Sequence, residues 1–157
     1  MSAQTEMAAQ ALRHASKALV RIVKSTQPDK IDWSPLDQGR TVLDQVQECA
    51  VICFLSQDTF SKAIQPVFDF ELFGRKKVEF NTIEKALEAI ETNTEALAKI
   101  FEAFPEESLS MMVHLPFGPG GMTVSFGEFM MMPSQNMVYH YGQINYIQTL
   151  YGDKEMH

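Results

Sequence analysis

The stretch Asn81–Pro105, "NTIEKALEAIETNTEALAKIFEAFP", decides the fold class. Ile83, Leu87, Ile90, Thr94, Leu97, Phe101 and Phe104 recur at alternating steps of four and three. That spacing keeps one stripe of a helix turned toward a partner along its whole length. Asn81 stands three residues before Glu84, a capping-box-like start. Pro105 ends the run, because proline lacks the N–H that a helix interior needs. One long helix with one apolar seam must bury that seam, so the rest of the chain is expected to supply helices of matching length.

It does so on both sides. From about Ala3 to Lys24, Ala8, Leu12, Ala15, Leu19 and Ile22 form a second seam. "STQPDKIDWSP" (Ser25–Pro35) follows, and its two prolines cannot continue a helix. A further helix is expected from about Arg40 to Ser61, with Leu43, Val46, Ala50, Cys53 and Phe54 on its apolar face. Beside that face run Thr41, Asp44, Glu48, Val51 and Leu55, which puts Glu48 at or inside the edge of the core. "IQPVFDFELFGRKKVEF" (Ile64–Phe80) reads as an aromatic connection whose phenylalanines cover one end of the bundle, with Arg75-Lys76-Lys77 a solvated loop. "SLSMMVHLPFGPGGMTVSF" (Ser108–Phe126) alternates and then turns at "GPGG", the pattern of a short β-hairpin or flap. The last helix spans roughly Phe126 to Tyr151; Pro133 either kinks it or marks its true start, and Gly152 is a plausible C-cap. The expected architecture is all-α: an antiparallel four-helix bundle with a β-hairpin inserted between helices 3 and 4, in one domain over residues 1–157.

Composition narrows the function classes. The formal net charge of -7 argues against nucleic acid and anionic membrane, both of which require clustered Lys and Arg. The longest apolar run, "AVICFL" (Ala50–Leu55), is too short to span a bilayer, and the N-terminus has no apolar signal core, so a cytoplasmic protein is expected. Cys49 and Cys53 lie one helical turn apart, a poor disulfide geometry, and read as core thiols. Ten methionines and eleven phenylalanines suit an adaptable core, with room for a pocket. A small-molecule ligand and a homodimer are the expected partners.

The last helix carries a polar stripe. In "NMVYHYGQINYIQ" (Asn136–Gln148), Asn136, His140 and Gln143 share a face with Ile147. Turned inward, that stripe buries three polar side chains together.

Two segments resemble the DinB/YfiT-like family. "IDWSPLDQGRTVLDQVQECAV" (Ile31–Val51) is similar to that family's second-helix signature, where a Trp and Pro precede an Arg-Ser/Thr start and a His follows seven residues later. "NMVYHYGQINYIQTLYGD" (Asn136–Asp153) is similar to the last helix, where an HxxxH pair precedes Gly-Gln. The resemblance implies a four-helix bundle and a family of metalloenzymes that includes thiol-dependent transferases and isomerases. It also implies a divalent metal held by three histidines, one from the second helix and two from the last. This sequence departs twice: Glu48 stands at the second-helix position and Asn136 at the first position of HxxxH, leaving only His140.

Three readings of that degenerate three-His site stand side by side. Glu48, Asn136 and His140 can hold Zn, Ni, Mn or Fe, which accept imidazole and carboxylate, although the Asn amide oxygen is a weaker donor. The chain would then be a metal- and thiol-dependent transferase or hydrolase. Alternatively, the three close on one another as a buried hydrogen-bond network. Or they orient a small molecule in a metal-free pocket, making the chain a non-catalytic homodimeric binding or stress-response protein. Asp44 and Gln143, each one turn from these residues, are candidates to support the pocket, and His114 on the hairpin is a candidate to close over it. No nucleophile–base arrangement and no phosphate loop stands out.

Overall fold

The computed structural model describes residues 2–157. Four long helices form the body: α1 (Ala3–Lys24), α2 (Val42–Lys62), α4 (Ile83–Ala103) and α6 (Met132–Leu150). Between them lie α3 (Phe70–Glu79), β1 (Met112–Leu115), β2 (Met122–Ser125) and the single turn α5 (Phe126–Phe129). Around the bundle, α1 packs mainly on α4 and α6, and α2 packs mainly on the same two. Helices α1 and α2, consecutive in the chain, therefore sit across a diagonal, and so do α4 and α6. That arrangement sets the wall of α2 against the start of α6, where the polar stripes of both helices meet.

The seams read from sequence are buried. Ala8, Leu12, Ala15, Leu19 and Ile22 of α1 meet Ile90, Leu97 and Phe101 of α4 in one core. At one end of the bundle, Phe60 of α2 stacks on Phe129 at 4.9 Å and meets Phe101 edge-on at 4.8 Å, with Phe104 and Phe126 alongside. Buried rings of this size are among the strongest contributors to a core, at about 1.5–3 kcal/mol each. From the Ile64–Phe80 segment, Phe68, Phe70 and Phe73 line a cavity on the flank of α2 that reaches Thr59 and Phe129 at that end.

Three local expectations need correction. First, the segment read as an aromatic connection contains α3. Asp69 caps it, accepting from the Leu72 N–H at 2.8 Å, and Gln47 of α2 donates to the carbonyls of Lys77 and Phe80 at its far end. None of the ten residues of α3 is buried, so no apolar seam announces the helix. Second, α4 starts one residue later than expected: Thr82, not Asn81, is the N-cap, and Asn81 accepts from the Lys85 ammonium instead. Third, of the two alternatives at Pro133 the true start holds, and the residues before it form a separate turn of helix. Ser125 and Glu128 form a capping box for α5, the chain turns at Met130 and Met131, and Pro133 sits in the first turn of α6, where its missing N–H removes no bond.

The hairpin pairs Val113 with Val124 and His114 with Thr123. Its tip turns through Gly118, Gly120 and Gly121 at positive φ, and a side chain at Gly121 would meet the His114 ring at 2.5 Å. Gln65 fastens this hairpin to the α2–α3 connection. Its amide donates to the His114 carbonyl at 2.5 Å and accepts the His114 N–H at 3.1 Å.

Candidate functional site

Glu48, Asn136 and His140 converge between α2 and α6. His140 is fully buried. Its Nε2 lies 3.0 Å from Glu48 Oε1, and its Nδ1 lies 2.8 Å from Gln143 Oε1 and 3.1 Å from Gln45 Oε1. Both ring nitrogens thus face side-chain oxygens of neighbouring residues. Asn136 Nδ2 donates to the same Glu48 Oε1 at 3.1 Å, while its Oδ1 accepts the Cys49 thiol at 3.3 Å. The second Glu48 oxygen takes the Arg40 guanidinium at 2.7 Å.

Arg40 joins this cluster to a second one. It donates to Asp44 at 2.5 Å, and Asp44 also pairs with Lys77 of α3. Thr41 caps α2 by accepting the Asp44 N–H, which fixes where these carboxylates sit on the first turns of the helix. Asp44 is therefore linked to Glu48 through Arg40 and touches none of the other convergent residues. Gln143 places its amide oxygen against the His140 ring and donates its amide N–H to the Tyr139 hydroxyl, so it links the ring to the surface of α6. His114 lies on the hairpin, exposed and bonded to Thr123 3.3 Å away, and is not among the cavity's lining residues.

The electrostatics follow from these contacts. The hydrogen bond from His140 is the main reason that Glu48 is held down to about 2; burial opposes this, and Asn136 and the Arg40 charge assist it. Burial would raise Asp44, but its bonds to Lys77 and Arg40 keep it below the ordinary carboxylate range. Burial pushes the Cys49 thiol well up and Cys53 up to about 12, so neither supplies a thiolate nucleophile.

Sequence reasoning missed Arg40, Gln45 and Cys49. Gln45 lies three residues before Glu48 on the same helix face, and its near-complete burial is the kind of polar core position that such spacing flags. Arg40 precedes the helix, so no periodicity points to it.

The donor set does not fit a divalent ion in this arrangement. No group of three His, Cys, Asp or Glu side chains among the described residues is placed to hold one. Asn136 turns its N–H to the centre, and the lone pairs of Glu48 already face His140, Asn136 and a guanidinium. An ion there would displace these bonds and sit beside the fixed charge of Arg40.

Next to this network, a cavity of about 410 Å³ opens between α2, the start of α6 and the α2–α3 connection. Glu48 and Asn136 form one end. Ile52, Leu55, Ser56 and Thr59 continue along α2, with Phe129, Met132 and Pro133 opposite. Phe68 of the connection and Phe70 at the start of α3 line its outer side, and Phe117 of the hairpin tip meets Phe68 edge-on at 4.8 Å. Tyr139 lies outside, exposed on α6, and Tyr141 packs against the core.

No family model matches the chain, and no curated protein is similar to it in sequence. Solved structures are similar in fold. YfiT from Bacillus subtilis, described as a probable metal-dependent hydrolase with an unusual four-helix bundle topology, superposes with a TM-score of 0.73 at 13% identity, over 97% of this chain and 90% of that one. Two structures of the mycothiol-dependent maleylpyruvate isomerase, one of them a mutant, give a TM-score of 0.65 at 15% identity. They match 92% of this chain, which spans 63% of theirs. No described helix is long and apolar enough to cross a membrane. From its helix order, its hairpin insertion and these superpositions, the chain has the DinB/YfiT-like four-helix-bundle fold.

Proposed function

We propose that this chain binds a small molecule in the cavity between α2 and α6, and that the Glu48–Asn136–His140 network forms the metal-free polar end of that cavity. The observation that carries the reading is an aromatic-walled space of about 410 Å³ ending on two polar side chains whose hydrogen bonds are already satisfied. Such a wall attracts an apolar body, while a satisfied polar end neither demands a metal nor supplies a free base. The competing reading is a metal- and thiol-dependent transferase or hydrolase that uses Glu48, Asn136 and His140 as ligands. It is favoured by what the neighbouring structures are described as doing.

Two measurements on the full chain separate the readings. Met132 lines the cavity, so its methyl resonance reports occupancy. Titration with small aromatic fragments is expected to move that resonance saturably. Elemental analysis of protein purified without chelators is expected to give no stoichiometric Zn, Ni, Mn or Fe. A Met132 signal that responds to no fragment overturns the pocket. One equivalent of metal, with turnover lost in His140→Ala, establishes the enzyme reading instead.

A further inference from the structure

The inference deepens the cavity reading and rests on it. Ser56 and Thr59 stand three residues apart on the α2 wall, so they share a face of the helix. Each exposes only 8% of its surface. Serine and threonine in a helix ordinarily turn back to a carbonyl three or four residues earlier, as Ser61 does to Asp58 and Thr149 to Tyr146. Neither Ser56 nor Thr59 does so, and neither hydroxyl bonds any other described residue. Neither oxygen is sealed within the core, as the Thr94 hydroxyl is. Buried hydroxyls are rarely left without a partner. Here two of them open onto the same cavity.

The remaining lining sets the charge of what they meet. No lysine, arginine or histidine lines the cavity, so a buried anion would find no counter-charge. A cation fares no better in the depth. Glu48 is the carboxylate there, and its two oxygens are taken by His140, Asn136 and Arg40. Asp69 is exposed and engaged in capping α3. We propose that the cavity takes an uncharged, mainly apolar small molecule carrying one hydrogen-bonding oxygen, and that Ser56 and Thr59 receive that oxygen.

The test uses phenylbutanol, phenylbutanoate and phenylbutylammonium, which share one apolar body and differ in the charge of the head. Binding to the full chain at neutral pH is followed through the Met132 methyl resonance. The alcohol is expected to bind at least about tenfold more tightly than either ion. Replacing Ser56→Ala and Thr59→Val together, a change that exchanges one hydroxyl for hydrogen and the other for a methyl, is expected to weaken the alcohol about tenfold and leave the two ions unaffected. Equal or tighter binding of either ion overturns the ligand class, and this arm needs no variant to fold. Alcohol binding unchanged in the folded double variant overturns the role of the hydroxyls. Both of these results leave the cavity reading standing, whereas no Met132 response to any of the three removes the cavity and the ligand class together.

Discussion

At the residue scale, Glu48 is the junction of the site, because one carboxylate serves His140, Asn136 and Arg40 at once. Its pH behaviour follows. The folded-state value of about 2 lies below the ordinary 4.5, so the network's contribution to stability is present above about 4.5 and is lost as pH falls toward 2. Urea denaturation of the native chain should show this loss. Glu48→Gln should destabilise the fold by about 2 kcal/mol at neutral pH, because the guanidinium and imidazole lose their charged partner. The gap between the two proteins should narrow as acid protonates the native carboxylate; a gap that is constant with pH would contradict the pairing. Cys49 and Cys53 make a second test. Both are buried with raised thiols, so a thiol reagent should label them only as the chain unfolds, at a rate that follows the unfolding transition. Labelling at the rate of a free thiol in native buffer would show that the α2–α6 junction opens.

At the element scale, what the sequence disclosed tracks what each helix buries. Helix α4 was legible because its seam ends in the core: Ile90, Thr94, Leu97, Phe101 and Phe104 are all buried. Helix α3 was not, because none of its residues is fully buried and it is held by the Asp69 cap and by Gln47 and the Lys77–Asp44 pair, contacts that leave no periodic trace. The break between α5 and α6 was half legible. Pro133 marked the spot, but whether a proline kinks a helix or begins one depends on the capping box at Ser125, which tertiary packing selects. The N-cap of α4 shows the limit of one-residue precision and can be checked. Thr82→Ala should cost about 1 kcal/mol, whereas Asn81→Ala should stay within about 0.5 kcal/mol, since Asn81 caps nothing and bonds only the exposed Lys85. Thermal denaturation of the two variants distinguishes the caps, and the reverse order would restore Asn81 to that role.

At the scale of the whole molecule, the bundle and the chemistry of its site are separable. The diagonal placement of α1 and α2 brings α2 against α6, and that alone carries positions 48, 136 and 140 to one point. The convergence was legible in the sequence from spacing and resemblance. Which of the three readings the point would take was not, because the closed network turns on Arg40, whose side chain reaches in from outside the helix, and on Cys49, whose thiol donates to the amide oxygen of Asn136. If the fold supplies the positions and the side chains decide the occupant, the occupant can be exchanged. A chain carrying Glu48→His and Asn136→His has three imidazoles at the junction, but Arg40 would lose its carboxylate there and repel an incoming cation. Adding Arg40→Ala removes that charge. The triple variant is expected to take up one equivalent of Zn, with a raised melting temperature, while the native chain shows no shift in the same titration. The double variant should bind more weakly than the triple. Zn binding by the native chain as tight as by the triple variant would mean that the Glu48–His140 bond yields to metal and that the site is not closed. Equal binding by the double and triple variants would show that Arg40 has no part in excluding the ion.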